Sequence, residues 1–420
     1  MKIRKMMILL AGVFLLAGCE KGTAELVATV EEFGEQETAS TIEAFAMQEP
    51  LSLEETSSIT EETITLEESS EEESVQESEP PSLSLIMVGD ILMHTPLNET
   101  GIQENGEVNF DHLFTHTKDI ISSADLALVN QEVILGGEEL GISGYPNFNT
   151  YYEVGDSLAN AGFDVALHAT NHALDRGKNG IINCLNYWEN NHPEVTPLGI
   201  YDNLDSSDEI YVYEKEGIRV AILNYTYSTN GIPLPEDMPY AVNMMDKEAM
   251  REDIKKAEEI ADFTIVCPHW GTEYVLTPSD YQKNYADFFL ECGVDLVIGT
   301  HPHVIEPMEW LRDDIGNEML VYYSLGNYVN CTGSTTPDIG NRMVGAMASV
   351  TLTKQEDGTV VIDEYRALPL VTYVSADQED ITVYPLEEFT DEMAAGSYTV
   401  KYAQNFSKNF CEELWNQVFP

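Results

Sequence analysis

The chain has 420 residues and a formal net charge of −54, from 74 Asp and Glu against 20 Lys and Arg. So large an acidic excess excludes the basic face that nucleic-acid binding requires. It also disfavours any polyanionic partner that is not held through metal ions or a local basic patch.

Taken in chain order, Met1 to Cys19 carries Lys2, Arg4 and Lys5 before a short apolar run, the pattern of a secretory signal rather than a membrane span. Its end, Leu16-Ala17-Gly18-Cys19, resembles a bacterial lipobox. That likeness implies cleavage before Cys19 and a lipid on its sulfur and amino terminus, which would tether the mature protein to the extracytoplasmic face of the cell membrane. From Glu20 to Ser82, nineteen glutamates face the single Lys21, and aromatics are almost absent. Such a segment cannot bury enough apolar surface to offset its ordering entropy, so an extended, disordered acidic stalk is expected over residues 20–82. Beyond Cys19 the cysteines are Cys184, Cys267, Cys292, Cys331 and Cys411. Their odd number and irregular spacing do not make a disulfide framework.

Leu83 to Leu370 alternates β-branched runs with helical stretches, the pattern of an α/β domain. Helices are expected over Asp156 to Ala161, Gly180 to Asn190, Lys247 to Ala261 and Ser279 to Cys292, the last capped by Ser279 or Asp280 and closed by Gly293. Further strands are expected over Tyr211 to Tyr213, Arg219 to Tyr225, Met319 to Ser324 and Gly345 to Thr353. Residues 371–420 read as a strand and turn followed by one amphipathic helix from Tyr398 onward, packed on the core.

Five apolar strands run directly into residues of metal-ligand type. They end at Asp90, at Asn130-Gln131-Glu132, at Asn171-His172, at His269, and at His301-Pro302-His303. In open α/β sheets, chemistry gathers where strands end. Gly89 permits a tight turn before the hard anionic Asp90, and His94 follows four residues on. Strand alternation sets Asn130 and Glu132 on one side, where a carboxylate can bridge two cations. Asn171 offers an amide oxygen as ligand. Asp175 can fix the tautomer of His172, which then serves as general acid or positions an anion, with Arg176 nearby as a possible fork. His168 reads as a core or rim histidine, and Cys267 shares a strand face with His269. Trp270 suggests an aromatic wall beside His269, and Glu273 a supporting or surface carboxylate. In extended geometry His301 and His303 point the same way and can touch separate metals. The mixed carboxylate, amide and imidazole set suits Mn, Fe or Zn, two ions in all, better than Ca or Mg.

In the order VGDILMH, ADLALVNQE, SGYPNFN, GFDVALHATNHALDRG, LNYTYSTNG, HWGTEY, GVDLVIGTHPHVIEP and YYSLGNYV, the chain resembles the bacterial capsule-synthesis CapA family of poly-γ-glutamate biosynthesis type. That family is similar in turn to calcineurin-like metallophosphoesterases. The resemblance implies a four-layer α/β/β/α sandwich with a dinuclear site at one edge. Carried over, it puts Asp90 and His303 on one metal and Asn171, His269 and His301 on the other, with Glu132 bridging and His172 as the catalytic histidine. Two departures stand out: the usual Asp-x-His becomes Asp90 with His94 a turn away, and the usual Gly-Asp becomes Asn130-Gln131-Glu132. The Tyr323 to Asn327 stretch either lines the pocket or makes a strand-end turn. Two functions fit this reading. One is a metal-dependent hydrolase or transferase acting on a phosphoester or amide of an envelope polymer; the other is a non-catalytic accessory protein of anionic polymer assembly and export.

Overall fold

The computed structural model describes residues 80–420, so the expected signal segment, the Cys19 lipid site and nearly all of the stalk lie outside the described residues. Among the described residues no helix is long and apolar enough to cross a membrane. The strands, in chain order, are β1 (Ser82–Leu92), β2 (Leu126–Asn130), β3 (Val165–Leu167), β4 (Thr196–Leu198), β5 (Tyr211–Lys215), β6 (Ile218–Thr226) and β7 (Phe263–His269). They continue as β8 (Leu296–Ile298), β9 (Ile305–Arg312), β10 (Glu318–Leu325), β11 (Asn327–Asn330), β12 (Val344–Lys354), β13 (Val360–Val374) and β14 (Ile381–Pro385).

Two mixed sheets result. One has the order β14-β13-β12-β1-β2-β3-β4, with β11 also pairing with β1; the other has the order β5-β6-β7-β8-β10-β9. Within the first sheet β1 to β4 run parallel, and within the second β6, β7, β8 and β10 do. Parallel strands place their carboxyl ends along one edge, so the polar residues that follow them converge.

The second sheet shows why four layers form. Val220, Ile222, Ile265, Cys267, Leu296, Ile298, Leu320 and Tyr322 join the core shared with the first sheet. Their strand neighbours Ala221, Leu223, Val266, Val297, Val321 and Tyr323 join a separate core with Met250, Ile254 and Ala257 of the helix Lys247–Ile260 and Phe288 and Phe289 of the helix Asp280–Cys292. Strict alternation therefore buries both faces, one on a sheet and one on helices. Cys267 settles between the sheets, its Sγ 3.8 Å from Met87 Sδ. The first sheet is covered by the helices Glu153–Ala161 and Gly177–Asn191, which bury Val154, Leu158, Ile181 and Trp188. The architecture is the expected α/β/β/α arrangement. Ser279 caps the helix Asp280–Cys292 with a full capping box, and Gly293 closes it in the left-handed conformation.

The C-terminal segment departs from the single expected helix. Thr399–Lys401 forms only a short 3-10 turn, and the helix proper is Lys408–Val418. Ser407 accepts the backbone N–H of Phe410 and so starts a new helix there, which the apolar periodicity of the flanking residues conceals. The long strand β13 runs through position 370, and β14 pairs with it antiparallel, so the tail extends the first sheet.

Behind the site, Glu306 is fully buried on β9 and receives one donor, Gln282 Nε2, while its Oε1 has no protein partner. Burial raises its pKa to about 8. The folded chain thus holds this proton more tightly than the unfolded one. The resulting stability is full below the ordinary glutamate value of about 4.3 and is lost as pH rises through about 8. The stability of Glu306→Gln relative to wild type should therefore grow between about pH 5 and 8, by on the order of 2–4 kcal/mol. Urea midpoints across that range check it; a difference that does not change with pH would refute it.

Candidate metal centre

The edge where the parallel strands end brings the predicted donors together. Asp90 sits on β1 opposite Asn130 of β2 and Asn327 of β11. Its Oδ1 accepts Asn130 Nδ2 at 2.8 Å; its Oδ2 accepts the His301 N–H at 3.3 Å and lies 3.0 Å from His303 Nδ1. Gly89 is required beside it, because a Cβ there would come within 1.9 Å of the Gly326 carbonyl oxygen. That carbonyl also accepts the Asp90 N–H, at 3.0 Å.

Glu132 occupies the centre, 1% exposed, with neither carboxylate oxygen hydrogen-bonded to any of the described residues. Around its Oε1 stand His269 Nε2 at 3.7 Å, His303 Nε2 at 3.8 Å and His172 Nε2 at 4.0 Å. These separations are too long for hydrogen bonds. With metal–ligand bonds of about 2.0–2.2 Å, they are the spacing of donors that share an ion. Two donor groups emerge, Asp90-Glu132-His303 and Glu132-His269-His301, with Glu132 common to both. Asn171 Oδ1 is 2.9 Å from His269 Nε2 and so belongs to the second group. Behind it, Thr300 Oγ1 lies 3.0 Å from His269 Nδ1 and orients the ring. His301 Nδ1 is buried without a partner.

The electrostatics fit a cation. Burial pushes the Glu132 pKa well up, with Asp90 adding to the rise and His303 opposing it. For His303, burial acts downward, but the Glu132 and Asp90 carboxylates overcome it and carry the value to about 9. Burial, and then the neighbouring imidazoles, push His269 and His301 well down. The site thus disfavours a bare charge on Glu132, while His269 and His301 favour the neutral form in which imidazoles bind metal.

His172 stands beside this cluster. Asp175 Oδ2 lies 2.6 Å from its Nδ1 and also accepts the Phe148 N–H at 2.6 Å, which fixes the imidazole and leaves Nε2 facing Glu132. All eight sequence-predicted residues, Asp90, Glu132, Asn171, His172, Asp175, His269, His301 and His303, therefore meet at one place.

Several local expectations need correction. His301 and His303 are not extended: their φ angles are +99° and +58°, and this left-handed backbone turns the loop under the cluster. β3 ends at Leu167, and β2 at Asn130, so Glu132 and His172 sit in the loops beyond their strands. Trp270 makes no wall for His269; it is buried against Phe289 and Tyr323 in the helix-side core, and the ring beside His301 is Tyr227, at 4.6 Å. Arg176 donates to the Gly141 carbonyl and to Ser143 Oγ. His168, by contrast, is the core histidine that was expected, its Nε2 accepting the Trp188 Nε1–H at 3.0 Å. His94 lies outside both donor groups, its Nδ1 3.1 Å from the Leu92 carbonyl oxygen and its ring edge-on to Phe148. Exposed Glu273 joins His301 and His303 in a third possible donor group.

A cavity of about 770 Å³ opens onto the cluster, lined by His94, Phe148, His172, Asn230, Tyr274, His303, Asn327 and Arg342 among others. Asn230 and Tyr274 fall within the LNYTYSTNG and HWGTEY stretches without having been given a role, and Arg342 lies outside every such stretch. Arg342 is the single basic residue between Arg312 and Lys354, which was the available signal.

Because Glu132 is a buried carboxylate without a proton donor, the neutral isostere Glu132→Gln should stabilise the metal-free protein by about 1–3 kcal/mol while abolishing metal binding. Denaturant midpoints of the two metal-free proteins, with metal analysis of both after loading, check this; a less stable metal-free variant contradicts it.

Residues 84–332, more than half of the chain, match the family described as bacterial capsule synthesis protein PGA_cap. The chain is 29% identical over 256 residues to the PGA biosynthesis protein CapA of Bacillus subtilis (strain 168), covering 60% of this chain and 64% of that protein. It is 27% identical over 299 residues to the capsule biosynthesis protein CapA of Bacillus anthracis, covering 69% and 68% respectively. The match thus spans just under two thirds of the Bacillus subtilis relative. Among solved structures, Haemophilus influenzae NAD nucleotidase (NadN) is similar with a TM-score of 0.44 and 11% identity, over 81% of this chain and 67% of that one. A 5'-nucleotidase precursor from Thermus thermophilus gives a TM-score of 0.43 and 14% identity, over 80% and 58%. The chain belongs to the bacterial capsule synthesis protein family.

Proposed function

We propose that this chain is a metal-dependent hydrolase or transferase of capsule synthesis, acting on a phosphoester or amide of an envelope polymer such as poly-γ-glutamate. The observation that carries this reading is Glu132, buried without a partner and shared by two donor groups. Asp90 and His303 would hold one divalent transition metal, and Asn171, His269 and His301 the other. When bound, such ions act as Lewis acids toward a phosphoryl or carbonyl oxygen. The chain's own contribution is positional. Asp175 holds His172 so that Nε2 faces the cluster, where it can deliver a proton to a leaving oxygen or nitrogen. Asn130 and the His301 N–H keep Asp90 aimed inward. As part of the same proposal, the Cys19 lipid tethers the protein to the extracytoplasmic membrane face, and the acidic stalk sets the site off from it.

A second reading, an accessory protein of polymer assembly that binds metal without turnover, is favoured by one observation. His94 stands in the cavity wall and outside the donor groups.

Purified protein should contain one to two equivalents of Mn, Fe or Zn (~1–2 from the two donor groups), and His301→Ala and Glu132→Ala should lose them. Equal metal-free results in all three sink the metal reading. With metal present, a screen of aryl phosphates, phosphodiesters and γ-glutamyl amides should reveal turnover. His172→Ala should lower it by roughly 10²–10⁴-fold with metal content retained. Metal without turnover on any of these selects the accessory reading.

A further inference from the structure

Among the described residues, Arg342 is the cavity's one lysine or arginine. It lies in the 3-10 turn Pro337–Met343, just before β12, and is 8% exposed. Its guanidinium carbon lies over Tyr274, 3.6 Å from the ring centroid, and the Tyr274 ring lies 5.9 Å from that of His303. The cation therefore sits one aromatic ring away from the metal donors. Its position is also fixed through the backbone. The Arg342 carbonyl accepts Asn327 Nδ2 at 3.1 Å and Asn330 Nδ2 at 2.9 Å, and Asn327 Oδ1 is 3.1 Å from His303 Nδ1.

The side chain is under-used by the protein. Nη2 pairs with Asp338 at 2.7 Å, but Nε is buried with no partner among the described residues. A guanidinium carries five donors in a rigid fork matched to oxyanions. A cation held over an aromatic face keeps its N–H donors for other acceptors. In a chain of net charge −54, a nearly buried cation with donors to spare at the rim of a polar cavity calls for a ligand.

We propose that Arg342 is the anion-recognition residue of this site, binding a carboxylate or phosphate of the substrate that lies outside the bond acted upon at the cluster. This inference rests on the metal-centre reading for its place in the reaction but not for its anion binding. An unmodified carboxylate beside the target bond is what a γ-linked glutamyl chain would present at every residue; a second phosphate is what a phosphodiester-linked polymer would present. Arg342 then selects polyanionic over neutral substrates and sets which bond reaches the cluster.

The test is calorimetric titration of purified protein with glutarate and with inorganic phosphate, in metal-loaded and metal-free forms. Wild type, Arg342→Gln, Arg342→Lys and Asp338→Asn are compared, with metal content measured in each. Arg342→Gln should weaken glutarate binding at least about tenfold with metal content unchanged, and Arg342→Lys should fall between, since it keeps the charge and loses the fork. Asp338→Asn, which frees Nη2, should bind at least as tightly as wild type. A loss confined to glutarate identifies a carboxylate subsite, and a loss of both ligands a general oxyanion subsite. Unchanged affinities in Arg342→Gln overturn the proposal. So does an equal loss in Asp338→Asn, which would make the arginine a strut for its own turn. If no protein holds metal, the metal-free titrations still decide the role of Arg342, so failure of the metal reading and failure of this one are separable.

Discussion

A carboxylate removed from water keeps its charge only where something positive replaces the lost hydration. Glu132 has no arginine, no lysine and no hydrogen-bond donor at either oxygen, and three imidazole nitrogens stand just beyond hydrogen-bond range. Most of the surrounding arrangement follows from that one demand. Asp90 is held by Asn130 and the His301 amide, His269 by Thr300, and His303 by Asn327, so that several polar groups meet at a point which the protein alone does not satisfy. A fold built only for stability would gain by replacing such a cluster with apolar residues.

The α/β class, the strand ends and the donor residues were legible because each rests on short-range physics. A buried parallel strand needs a β-branched run, and the polar residue that follows it is next in sequence. Val294 to Ile298 followed by His301, and Phe263 to Cys267 followed by His269, are read without knowing what they pack on. The same locality misled where backbone conformation left the strand. The spacing of His301 and His303 permits an extended loop, yet both adopt left-handed φ, which no neighbouring residue type signals. Trp270 was set against the site because it adjoins His269, whereas strand alternation turns it to the helix side.

Arg342 was illegible for a different reason. It reaches the cavity through β11 and the turn before β12, and what makes it distinctive, a stacked tyrosine 68 positions earlier and amides from Asn327 and Asn330, exists only after folding. The C-terminal helix shows the reverse error. Its apolar period runs on from Tyr398, but the Ser407 side chain captures a backbone N–H and begins the helix later.

The donors divide between the two sheets. Asp90, Glu132 and Asn171 lie on or just after strands of one, and His269, His301 and His303 on or just after strands of the other. The centre is thus a seam, and its geometry gauges how far apart the sheets stand. Residues deep in the sandwich, such as Met87 and Cys267 at their 3.8 Å sulfur contact, set that spacing without approaching a donor. Close packing transmits small changes of volume across an interior. Substitutions at that hidden contact would therefore shift one half of the donor set against the other.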